Sequence, residues 1–71
     1  MIKVKNCKKL KVLMMKSGYN ASSFARTINM SQQSISKLLS GERNPSPKTA
    51  YKIKETLNVD WDDLFIIPEV N

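Results

Sequence analysis

Residues 21–40 read ASSFARTINMSQQSISKLLS, and the way these residues divide decides the fold. From Ala21 to Ile28, the residues Phe24, Ala25 and Ile28 fall at spacings that gather apolar side chains on one helical face. Asn20, just before them, has a side chain that can accept a backbone N–H at a helix start. Asn29-Met30-Ser31 interrupts the pattern. Asn tolerates a left-handed backbone better than most residues, and Ser31 is a second N-cap. From Gln32 to Ser40 the helical period resumes, at about 100° per residue, with Ile35, Leu38 and Leu39 on one side. Gly41 is placed to end it. The stretch predicts two short helices joined by a three-residue turn, with Ala25 small where the two must approach.

The other side of the second helix holds Gln32, Gln33, Ser36, Lys37 and Ser40, with no acid among them. A merely solvated face usually mixes in Glu or Asp, which phosphates would repel. Gln pairs with adenine, Lys donates to guanine, and Ser can serve either base. Two helices across a tight turn form the unit that lays its second helix in the DNA major groove. Gln32, Gln33, Ser36 and Lys37 are therefore the candidate base readers.

Working outward, Cys7 to Ser17 carries Leu10, Val12, Leu13, Met14 and Met15 at helical spacing, and Gly18 stops it. After a loop fixed by Pro45, Ser46-Pro47 reads as an N-cap and first helical position. That helix is expected to bury Ala50, Ile53 and Leu57 and to close at Asn58. Asp60 is expected to cap a short fifth helix, with Asp63 at the capping-box spacing and Trp61, Leu64 and Phe65 turned inward. Met1 to Asn6 alternates apolar and basic residues and reads equally as a short strand or a flexible arm. The expectation is one all-α domain of five short helices over residues 1–71, with 1–6 as arm or strand and 66–71 as a tail.

Composition narrows the function. A chain of 71 residues, 41% hydrophobic and 25% charged, suits one small globule with a thin stability margin. The longest apolar runs, Val12 to Met15 and Leu64 to Ile67, fall far short of the roughly 20 residues a transmembrane helix needs. Cys7 is the only cysteine, which rules out an intrachain disulfide and suits a reducing cytoplasm. Net charge is +6, unevenly spread. Residues 1–59 hold all twelve bases against Glu42 and Glu55, a balance of +10; residues 60–71 hold four acids and no base. A basic body with an acidic end suggests an anionic partner such as DNA at one surface. Lys3, Lys5 and Lys8 are candidate arm contacts to it. With no His, no metal-ligand spacing and no glycine-rich phosphate loop, neither catalysis nor a cofactor is expected.

From Leu10 to Phe65 the chain resembles the lambda-repressor and Cro type of helix-turn-helix regulators. The resemblance rests on Phe24-Ala25, on Ser31-Gln32-Gln33-Ser34-Ile35-Ser36, on Gly41-Glu42-Arg43-Asn44-Pro45-Ser46, and on Leu57-Asn58-Val59-Asp60-Trp61-Asp62-Asp63-Leu64. It implies a cytoplasmic, bacterial or phage-encoded repressor that reads bases through Gln32, Gln33 and the position of Lys37. It also implies phosphate contacts near Asn20 and Ala21 and near Ser40, Arg43 and Asn44. Three features depart from the family pattern, one of them a pair of residues. Met14 and Leu39 stand where many members bury an Arg–Glu pair, a paired change that reads as an alternative apolar core. Ala21 replaces a phosphate-holding Gln, leaving backbone N–H groups and the helix dipole. Glu42 puts an acid in a loop that should approach DNA. A palindromic operator would call for a homodimer, for which Leu64, Phe65, Ile66 and Ile67 are the candidate contact. The competing reading is an antitoxin or adaptor working mainly through a protein partner.

Overall fold

The structure, a computed structural model, describes residues 1–68. Five helices follow in order: α1 (Cys7–Lys16), α2 (Ala21–Thr27), α3 (Gln32–Ser40), α4 (Pro47–Leu57) and α5 (Trp61–Leu64). A two-residue strand lies at each end, β1 (Lys3–Val4) and β2 (Phe65–Ile66). The all-α expectation holds, with this ribbon as a small addition.

The first four helices begin alike. Asn6, Asn20, Ser31 and Ser46 sit in extended backbone, and each side chain accepts the N–H three residues on, at 2.8–3.2 Å. At Asn20 the bond is reciprocal, since Ser23 Oγ accepts the Asn20 N–H at 3.0 Å. These contacts satisfy backbone donors that a helix start leaves without a partner. The four helices also end alike. Gly18, Asn29, Gly41 and Asn58 have φ between 55° and 86°. Each donates its N–H to the carbonyl three residues back, and the next residue donates to the carbonyl five back. That is a Schellman closure, which needs the left-handed backbone that Gly and Asn supply most readily. α5 departs from the expectation. Asp60 makes no side-chain cap bond, and Asp63 N–H instead meets the Asp60 carbonyl at 3.1 Å. With a single turn to close, the backbone does it alone.

Phe24 and Ala25 of α2, Ile35 and Leu38 of α3, Leu10 and Met14 of α1, and Ala50 and Ile53 of α4 are buried together. Leu39 is half-buried against this cluster, so both apolar residues that stand in for the family's ion pair serve the core. Cys7 is half-buried, its Sγ 3.8 Å from the Leu38 carbonyl. β1 and β2 pair antiparallel, Lys3 opposite Ile66 and Val4 opposite Phe65. Lys5 N–H bonds the Leu64 carbonyl at 2.8 Å. The N-terminal lysines therefore stand on a backbone fixed to the body. Leu64 and Phe65 are each 1% exposed, so the core consumes two of the four residues expected at a dimer contact. Ile66 and Ile67, at 44% and 43%, stay on the surface.

Candidate nucleic-acid interface

The α2–α3 unit positions the site. Asn29 adopts φ 60°, and its closure directs Met30 N–H to the Ala25 carbonyl at 2.8 Å. The chain is thereby turned within three residues into Ser31, whose hydroxyl accepts the Ser34 N–H and fixes the start of α3. Ile35 and Leu38, each 1% exposed, seat α3 against the core. Its opposite face is turned outward by the helical period.

Gln32, Gln33, Ser36 and Lys37 are all exposed and together line one shallow hollow on that face. Among the described residues their side chains make no hydrogen bond or ion pair within the chain, so their donors and acceptors are available to a ligand. Ser40, one turn beyond, is exposed but engaged. Its hydroxyl is shared between the Lys37 carbonyl at 3.0 Å and Glu42 Oε2 at 2.9 Å. Glu42 thus has a local partner that the sequence reading did not supply.

The remaining expected phosphate contacts lie at both ends of this unit. Asn20 is exposed at the start of α2, and Ala21 is half-buried beside it. In the loop after α3, Arg43 Nη1 donates to Ser34 Oγ at 3.0 Å, and Ser34 Oγ also lies 2.9 Å from Ser31 Oγ. The guanidinium is therefore held over the first turn of α3. Asn44 Nδ2 lies 3.0 Å from Met1 Sδ. Lys3 lines a small hollow together with Arg43 and Asn44, which brings one of the three arm lysines to this loop. Lys5 and Lys8 are exposed elsewhere, on the approach to α1 and in its first turn. Sequence reading missed Ser34 as the partner of Arg43, because no local signal tells where the loop after α3 returns.

Electrostatics favour an anion at this face. The one ion pair among the described residues is Lys54–Glu55 at 3.1 Å, which leaves Lys37 and Arg43 without a carboxylate partner. Asp60, Asp62 and Asp63 belong to the α5 region and do not line the α3 hollow. The described residues hold no cluster of metal-ligating side chains and no helix long and apolar enough to cross a membrane.

A helix-turn-helix family model matches residues 10–64, well over half of the chain. The chain therefore belongs to the lambda-repressor type of helix-turn-helix family, a family of DNA-binding regulators and not typically of enzymes. No curated protein matches the sequence. The chain is a DNA-binding helix-turn-helix regulator, and the span matched is the one that builds the α3 face and the loop after it.

Proposed function

We propose that this chain is a sequence-specific repressor of the phage, plasmid or mobile-element kind, binding a palindromic operator as a homodimer. The observation that carries this reading is the outward face of α3. Four side chains able to read base edges share one hollow, and none has a hydrogen-bond or ion-pair partner among the described residues. Laid in the major groove, Gln32 and Gln33 meet adenine, Lys37 meets guanine acceptors, and Ser36 serves either. Asn20, Ser40, Arg43 and Asn44 hold phosphates by their side chains, and Ala21 does so by its backbone N–H. Lys3, Lys5 and Lys8 add positive charge near the same backbone, which makes affinity fall with salt.

A two-fold dimer sets its two reading helices one DNA turn apart, about 34 Å. The exposed Ile66 and Ile67 lie at the subunit contact. Selection of bound duplexes from a random pool tests the whole reading. The expected product is a palindrome with half-sites about one turn apart. Recovery of salt-sensitive, sequence-blind binding alone would sink it.

A further inference from the structure

The first turn of α3 carries a chain of hydrogen bonds that base reading does not use. Ser31 Oγ accepts the Ser34 N–H at 3.1 Å and donates to Ser34 Oγ at 2.9 Å. Ser34 Oγ also accepts from Arg43 Nη1 at 3.0 Å. Ser34 is half-buried, and the helical period sets it on the flank of α3, between the buried Leu38 and the outward Lys37. The loop brings Arg43 to it. Gly41 closes α3 at φ 85°, and the N–H groups of Glu42 and Arg43 both bond the Lys37 carbonyl, at 2.9 and 3.3 Å. The Arg43 side chain then lies back along the helix. Ser34 stands about one turn nearer its start, roughly 4.5 Å along the axis from Lys37.

We infer that Ser34 is a positioning residue of the DNA grip, holding the Arg43 guanidinium over the first turn of α3 for a backbone phosphate. The inference rests on the phosphate contact proposed above for Arg43 and names what makes that contact firm. A free arginine side chain has more rotamer freedom than most, and a phosphate contact must remove it. Ser34 removes part of it before DNA arrives. Arg43 can keep this bond and still bind, because a guanidinium has several N–H donors and Ser34 takes one. Among the described residues no carboxylate pairs with Arg43. A neutral hydroxyl therefore fixes the group without cancelling its charge, where an acid at the same place would do the first and undo the second. The grip is built onto the turn that also carries Gln32 and Gln33.

The test is a double-mutant cycle of the wild type, Ser34→Ala, Arg43→Ala and the double variant. Each is titrated with the operator recovered by selection and with a duplex of unrelated sequence. Ala is a strong helix former and Arg43 is exposed, so all four should fold, which melting curves check. Should Ser34→Ala melt low, Ser34→Cys replaces it, since a thiol is a weak acceptor. Ser34→Ala should weaken both duplexes alike, by roughly threefold. Ser34→Thr, which keeps the hydroxyl, should bind as the wild type does. In the Arg43→Ala background the loss of Ser34 should cost nothing further. An equal loss with and without Arg43 would overturn the inference, since Ser34 would then serve only the helix start; the phosphate contact of Arg43 would stand. A Ser34→Ala variant that binds as the wild type would overturn it too. An Arg43→Ala variant that binds both duplexes as the wild type does would remove the contact and the inference together.

Discussion

The outward face of α3 and the loop that follows it offer similar chemistry, hydroxyl, amide and cationic groups, in two different states. On α3, the side chains of Gln32, Gln33, Ser36 and Lys37 have no hydrogen-bond partner among the described residues. Where the helix ends and in the loop beyond, Ser40 is tied to Glu42, Arg43 to Ser34 and Asn44 to Met1. The helix side chains meet a ligand by exchanging only water. The loop side chains must first give up, or share, a bond inside the protein. A hydrogen bond exchanged in this way nets much less than one newly made. Sequence discrimination is therefore expected from the helix, and a pre-arranged, sequence-blind grip from the loop.

The largest effect should come from breaking what the two regions share. Ile35→Ala removes a side chain 1% exposed that seats α3 on the core, and should cost about 2–5 kcal/mol of stability. Urea unfolding measures this, and a loss below about 1 kcal/mol would mean that α3 is seated by other contacts. Next, Lys37→Ala should lose about 1–3 kcal/mol of binding at one base position and relax preference there. An equal loss on every duplex would move Lys37 to the phosphate set. Arg43→Ala should do the opposite. It should weaken all sequences alike, on the order of 1 kcal/mol, and lower the salt slope by about one. A change in base preference would show that the guanidinium over α3 also steers reading. The smallest effect belongs to Glu42→Gln. The amide oxygen can still accept from Ser40, so the change removes only the negative charge; with less repulsion of phosphate, affinity should rise by under about 1 kcal/mol, most at low salt. A loss instead would show that Glu42 is needed to hold the loop in place.

Much of this was legible because the chain marks its own boundaries. Asn20, Ser31 and Ser46 announce helix starts, and Gly18, Asn29, Gly41 and Asn58 announce stops. Each works through its own backbone neighbourhood, so no tertiary knowledge is needed to read it. The cap at Asn6 was hidden inside an alternating segment that had two readings. The β1–β2 ribbon was not legible, because two-residue strands are too short to show a period and their pairing spans almost the whole chain. Asp60 shows the opposite error, a good cap residue with the right spacing that makes no cap bond. Within the site, the composition of the α3 face could be read directly from the helical period. The Arg43–Ser34 and Ser40–Glu42 bonds could not, since they depend on where a loop returns.

The ribbon also bears on the order in which the chain assembles. α2 and α3 meet across a three-residue turn and can find each other early, whereas β1 and β2 join residues 3 and 66. Closing so long a loop costs entropy that grows with the logarithm of its length, by about 0.6 kcal/mol per doubling. Four paired residues return little for it. Contacts of this reach form late in folding and open first in the native state. The Lys5 amide, bonded to Leu64, should thus exchange its hydrogen well before the amides of α3. The two ends of the chain behave as a clasp on a helical body that is already built.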